Sequence, residues 1–254
     1  MNNIQILRER KSIRSYTEEQ LSLDIVKKLK AEITMTNTHQ QGFRFQLITN
    51  DPDPMKGVSR SYGAFKNAHN YLAAVVDMAT PHICERAGYF AEKFAIRATE
   101  LGLGTCFVGS TFNNKEVKAQ IRAGEKILFL VLVGFAAERE KRLARIMTGF
   151  MHRKKRNPES FFIPEENLPD ATSIYPDLRI GLEAVSCAPS ALNRQPVRIT
   201  LGHEEGRDVP CAIVKEETQQ NLIDLGIAKY NFNFATSTEC QWGNGSPLLS
   251  FEEI

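Results

Sequence analysis

The chain of 254 residues lacks the usual means of stapling, anchoring or metallating a fold. Its five cysteines (Cys84, Cys106, Cys187, Cys211, Cys240) are scattered, form no C-x-x-C pair and are odd in number, so a disulfide framework is not expected and reduced thiols in a cytoplasmic protein are. The five histidines (His39, His69, His82, His152, His203) have no ligand spacing, so no metal is expected. The longest apolar run, residues 127–133, is too short to cross a bilayer. Met1-Asn2-Asn3-Ile4 lacks the charged and apolar regions of a signal peptide, so a soluble cytoplasmic protein with no membrane partner is expected. No H-E-x-x-H, G-x-S-x-G or Walker loop occurs. The 32 basic and 30 acidic residues leave a net charge of +2, which argues against a nucleic-acid partner. What is present is an ordinary 42% of hydrophobic and 24% of charged residues, enough to bury a core in one large domain or two small ones without a staple.

Periodicity divides the chain into alternating elements. Thr17 and Gln20 fit a capping box ahead of a helix over residues 21–33, with Ile25, Leu29 and Ile33 on one face. Residues 43–49 alternate as a strand and 71–76 read as a buried strand. A long helix is predicted over 84–101, stopped by Gly102 and Gly104, and a short surface helix over 114–123. The uniformly apolar run 127–133 reads as a central strand covered on both faces, and residues 138–157 are basic and irregular. The remainder reads as a helix over 176–185, strands over 197–201 and 211–215, and a helix over 219–235. Helix, strand, strand, helix is also the order of residues 21–101, which suggests two pseudo-repeated halves. Few clean β-α-β units occur, so the class is α+β.

Four segments carry candidate chemistry. Arg10-Lys11-Ser12-Ile13-Arg14 sets three cations and a hydroxyl before the first helix, and in an extended chain Arg10, Ser12 and Arg14 share a side. That edge suits an anionic or carbonyl-rich ligand, and equally a solvated arm. Ala188-Pro189-Ser190-Ala191-Leu192-Asn193-Arg194-Gln195-Pro196 joins a helix to a strand and offers donors and acceptors from Ser190, Asn193 and Gln195, as a plain loop also would. Gly102-Leu103-Gly104-Thr105-Cys106-Phe107-Val108-Gly109-Ser110 is glycine-rich but follows a helix and lacks G-x-G-x-x-G, so it is no dinucleotide fingerprint. Gly109 there can bring a backbone N–H close to a planar ring. Arg153-Lys154-Lys155-Arg156-Asn157-Pro158 fits a phosphate, a nucleic acid or water.

Together these segments, with Asn67-Ala68-His69-Asn70-Tyr71-Leu72-Ala73-Ala74-Val75-Val76, resemble the FMN-dependent nitroreductase family. The resemblance implies a nitroreductase-like α+β fold, a mixed or antiparallel central sheet flanked by helices, and FMN as cofactor. It implies that Arg10, with Lys11 beside it, contacts the flavin phosphate or ribityl chain, and that Ser12 and Arg14 face the pyrimidine edge. It places the Gly109 N–H near flavin N5, between Val108 and Ser110, and Lys154 and Arg156 on the phosphate. Pro189, Ser190, Ala191, Asn193 and Gln195 would pack on and hydrogen-bond the isoalloxazine.

One departure is informative. In typical relatives the proline-serine-asparagine-glutamine motif follows the first helix, where this chain has Thr34-Met35-Thr36-Asn37-Thr38-His39-Gln40-Gln41. In the family that motif comes from the partner subunit of a dimer. The chain thus resembles a subfamily built as a single-chain pseudo-dimer, with residues 1–157 carrying most flavin contacts and 158–254 supplying the motif. A monomeric pseudo-dimer or a homodimer is expected, with one FMN per chain. The implied activity passes a hydride from NAD(P)H through FMN to a small acceptor such as a nitroaromatic or quinone, with no catalytic acid or base assigned. The alternative is a flavin-binding protein of little turnover, serving storage or sensing.

Overall fold

The uniformly apolar run predicted as a central strand forms β4 (Glu125–Gly134), in a computed structural model that describes residues 2–56, 65–137, 157–164, 176–204 and 207–250. With β1 (Phe43–Ile48), β2 (Tyr71–Asp77) and β3 (Gly104–Val108) it makes an antiparallel sheet ordered β1-β2-β4-β3. Residues 71–76 and 127–134 are buried throughout because β2 and β4 are the inner strands and are covered on both faces. One face carries a core of Tyr71, Ala73, Val75, Leu130 and Leu132, closed by Tyr16, Phe112 and Val117. Helix α1 (Asn3–Glu9) precedes this sheet in the chain, and α2 (Leu23–His39) lies against β1. The fold is α+β, an antiparallel sheet with flanking helices, as the sequence implies.

Two compact units share the chain. The sheet unit comprises Glu9–Ile83 and Lys93–His152; the second comprises Met1–Arg8, Cys84–Glu92 and Arg153–Ile254. Helix α3 (Ile83–Glu100) contributes its start to the second unit and its end to the first. In the second unit α5 (Gln219–Thr236) is buried from Ile223 to Asn233 and has no exposed face, so it is the element around which that unit packs. Around it lie α4 (Pro176–Cys187), the hairpin of β5 (Arg198–Glu204) and β6 (Arg207–Ile213), and the short pair β7 (Thr238–Cys240) and β8 (Leu248–Ser250).

Several expectations need correction. The cap of α2 is Ser22, whose Oγ accepts the Ile25 N–H, while Thr17 Oγ accepts the Glu19 N–H in a local turn. The helix also runs on to His39, because Thr36 is buried and Asn37 bonds both the N–H and C=O of Phe45 through its side chain. Residues 104–108 form a strand and not a helix stop. The stop is Gly102 alone, at φ 77°, with its N–H donated to Thr99 O. The helix expected over 114–123 shrinks to one 3-10 turn, Asn114–Glu116. Beyond it the N–H groups of Lys118 and Gln120 donate to the Tyr71 hydroxyl and Gln46 Oε1, which replaces a helical ladder. The basic stretch 138–156 lies outside the described residues.

Candidate functional site

The chain leaves α1 extended and is strapped between two neighbours. Ile13 N–H donates to Thr105 O at 2.8 Å, so Ser12 pairs in parallel with the edge strand β3. On the other side Lys66 N–H donates to Arg14 O and Tyr16 N–H to Lys66 O. The Tyr16 hydroxyl folds back onto Ile13 O at 2.7 Å. Ile13 packs against the core and is half-buried, as are Ser12 and Arg14, whereas Lys11 is exposed. Arg10 is 8% exposed, a rare burial for a guanidinium. Gly104 is required here, because a Cβ on it would sit 2.5 Å from Ile13 Cγ1.

Burial pushes the Cys106 thiol of β3 upward in pKa, and the fields of Arg14 and Arg10 oppose that shift. Burial likewise raises the Tyr16 phenol, with Arg14 again opposing. Ser12 thus pairs with Thr105 on the β3 edge, and the fields of Arg10 and Arg14 both reach Cys106 on that strand. Val108 closes that strand opposite Leu130, and Gly109 and Ser110 are exposed just past its end, about 13 Å along the strand from Thr105. The buried hydroxyls of Ser15 and Thr105 have no hydrogen-bond partner among the described residues, so this edge keeps polar capacity for a ligand.

Residues 189–196 form a second, separately positioned group in the other unit, between α4 and β5. Leu192, Asn193 and Gln195 all have left-handed backbone, at φ 51°, 52° and 49°. Three such residues without a glycine are costly, and strain of this kind concentrates at ligand clamps. The turn is over-determined from inside: Ser190 Oγ accepts the Gln195 N–H at 2.8 Å, and Gln195 Nε2 donates to Ser186 O at 3.0 Å. Asp224 of α5 accepts the Ala191 N–H on both carboxylate oxygens, at 3.2 and 3.3 Å. Leu192, at the tip, is 62% exposed.

Asp224 escaped the sequence reading, as did Leu192. Asp224 stands in the otherwise apolar Ile223-Asp224-Leu225-Gly226-Ile227-Ala228, and a buried acid inside an apolar helix was the one available signal. Burial pushes its carboxyl up to about 7, against the downward pull of the Ala191 amide, Gln220 and Arg194. Lys154 and Arg156 lie outside the described residues. A further polar cluster closes on itself: the Tyr71 hydroxyl donates to Asp51 at 2.5 Å, and Lys118 Nζ donates to the other Asp51 oxygen at 2.9 Å. It ties the loop before β2 to the loop before β4. Among the described residues no group of side chains could hold a metal, and no helix is long and apolar enough to cross a membrane.

A family model described as "Putative TM nitroreductase" matches residues 2–236. A Thermotoga maritima crystal structure described as a "putative nitroreductase" shares the fold at TM-score 0.60 and 18% identity, over 97% of this chain and 91% of that one. A Desulfitobacterium hafniense nitroreductase with bound FMN aligns at TM-score 0.46 and 17% identity, over 55% of this chain and 92% of that one. A Bacteroides fragilis nitroreductase with bound FMN aligns at TM-score 0.43 and 18% identity, over 56% of this chain and 94% of that one. No curated protein matches the chain.

Proposed function

Because this chain belongs to the nitroreductase family whose model spans residues 2–236, we propose that it is an FMN-dependent oxidoreductase that takes a hydride from NAD(P)H and passes it to a small acceptor such as a nitroaromatic or quinone. The observation that carries the reading is the Arg10–Arg14 strap on β3, which gathers two guanidinium groups beside unpartnered buried hydroxyls. FMN, when bound, supplies a ring that accepts and releases hydride. The chain's own residues bind and orient it. Arg14 and Ser12 face the pyrimidine edge, where a fixed cation favours the extra negative charge of the reduced ring. Arg10 and Lys11 hold the phosphate or ribityl chain, joined by Lys154 and Arg156 on the phosphate. Val108, Gly109 and Ser110 present backbone to the ring near N5. Pro189, Ser190, Ala191, Asn193 and Gln195 form the rigid turn that packs on it. The division into residues 1–157 and 158–254 as two halves of a single-chain pseudo-dimer is part of this proposal, and it requires one flavin per chain.

Purified protein should show bands at roughly 370 and 450 nm and release FMN on denaturation, near one flavin per chain. A colourless protein that takes up no added FMN overturns the reading, and a ratio near two overturns the pseudo-dimer. Arg14→Ala should lower the flavin midpoint potential and weaken binding by about 10–100-fold, the loss of one charge-assisted contact of roughly 1.5–3 kcal/mol. Arg14→Lys should keep much of the potential. Steady-state NAD(P)H oxidation with and without menadione or a nitroaromatic tests turnover. Gly104→Ala tests the strap: the added methyl must displace Ile13, so we expect a stability loss of about 1–3 kcal/mol by overpacking. Flavin occupancy should fall with it, because Ser12 and Arg14 move with Ile13.

A further inference from the structure

We infer that Asp224 is a positioning residue for the flavin ring, holding the Ala191 amide so that the strained turn of residues 190–195 is set before the ring arrives. This rests on the flavin reading above, in which that turn packs on the isoalloxazine. The geometry singles out Asp224 because it holds the turn from another helix, whereas the ties through Ser190 and Gln195 are local. Ser190 Oγ to Gln195 N–H, Asn193 N–H to Ser190 O and Gln195 Nε2 to Ser186 O all close within the segment or onto the end of α4. Asp224 reaches the turn from the central helix α5, at the residue immediately before left-handed Leu192. Releasing that amide removes the bond that keeps the 3-10 turn of Ala191–Asn193 on α5.

An ionisable acid is a poor choice for the task unless the charge matters. Asp224 is 3% exposed, and the void beside it holds only about 10 Å³, the lower limit for a single water. Phe161, Val185 and Val197 line it together with Ser190 and Gln195 of the turn. Arg194 of the turn is the charged group whose field reaches the carboxylate, and Gln220 is the polar neighbour on α5. The remaining surroundings are apolar, which is why burial dominates and lifts the carboxyl to about 7. The anion accepts the Ala191 N–H more strongly than the neutral acid does. For release of the amide with Asp224 still buried, which would raise the carboxyl further, the turn is therefore held more firmly above neutral pH and loosened below it.

The sign for folding is opposite. An acid with a folded value near 7 and an unfolded value of about 3.9 costs stability as pH rises through that window, and the cost is constant above it. Asp224 thus weakens the fold in the state in which it best holds the turn, which is expected of a group kept for function.

The test compares wild type with Asp224→Asn, which preserves shape and one acceptor but cannot ionise. FMN dissociation constants are measured by flavin fluorescence from about pH 5.5 to 8.5. The phosphate titrates near 6, but equally in both proteins, so the ratio of the two profiles is read. Wild-type affinity should rise relative to Asp224→Asn by roughly fivefold across neutral pH, the difference between a charged and a neutral acceptor. Amide exchange at Ala191, measured without flavin, should slow across the same window in wild type only. Asp224→Asn should melt at a higher temperature than wild type above pH 7 and at a similar one near pH 4. A constant affinity ratio, or Ala191 exchange that ignores pH once corrected for intrinsic rates, overturns the inference while flavin binding stands. Absence of flavin uptake at every pH, with Ala191 still responding, overturns the flavin reading and with it the ligand half of this one.

Discussion

Gly226→Ala is expected to unfold the second unit or to leave it at least about 3 kcal/mol less stable. Gly226 lies on α5 where the backbone of α3 crosses it. A methyl at this position would sit 1.8 Å from Glu85 O and 2.8 Å from Tyr89 N. The contact is reciprocal, since a methyl on Gly88 of α3 would sit 2.3 Å from Ile223 O. Neither obstacle is a side chain that can rotate away, so the helices would have to separate. The gain in helix propensity from glycine to alanine is about 1 kcal/mol and does not offset that. Separation would also pull Glu85 from Lys229, and Tyr89 from Tyr230, whose rings now meet edge-on at 5.1 Å. Thermal or urea denaturation checks the size. Gly102→Ala is the comparator: it meets nothing within 4 Å and strains only a φ of 77°, so it should cost about 1 kcal/mol. Equal losses at the two positions would rule out the close crossing.

These glycines show where sequence reading stops. A glycine in an apolar helix announces a close approach but not its partner, and Gly88 of α3 and Gly226 of α5 are 138 positions apart in the chain. β4 and β2 were legible because inner strands need apolar residues on both faces and nothing else in the chain offers such runs. β3 was not, since Gly102 and Gly104 look alike in sequence. One ends a helix by its left-handed backbone, while the other pairs with Gly134 in the sheet and makes room for Ile13. The extended course of residues 10–14 was legible from its place ahead of the first helix, whereas its pairing with β3 and with Lys66 is long-range and was not. The turn of residues 189–196 was legible as a polar loop, whereas its left-handed Leu192 and Gln195 and its bonds to Ser186 and Asp224 were not. The Ser190 hydroxyl, as an acceptor, and the Gln195 side-chain amide, as a donor, are engaged in shaping the turn. Composition cannot express that use.

Lys229→Met should be nearly as damaging as Gly226→Ala, and for an electrostatic reason. Lys229 and Glu85 have side chains 0% and 1% exposed and meet at 2.6 Å. The ammonium donates to Gln241 O at 2.9 Å and Gly243 O at 2.8 Å and is ion-paired with the Glu85 carboxylate. The second Glu85 oxygen accepts the Gly243 N–H at 2.8 Å. One ion pair thus fastens residues 241–243 to α3 and α5. Truncating the lysine leaves a buried carboxylate and two carbonyls unanswered, which should cost about 3–5 kcal/mol. Charge, and not volume, is the issue, because methionine fills most of the lysine stem. The double variant Lys229→Met with Glu85→Gln removes the orphan charge and keeps an acceptor for Gly243, so it should recover part of the loss. The readout is built in: Trp242 is the sole tryptophan, lies between the two fastened residues and packs edge-on against Tyr89 at 5.3 Å. Its emission should shift to the red in Lys229→Met and return toward wild type in the double variant. If the double variant loses as much as the two single changes summed, the pair is not coupled, and the segment is held by the aromatic packing of Trp242 on Tyr89 and Phe90 instead.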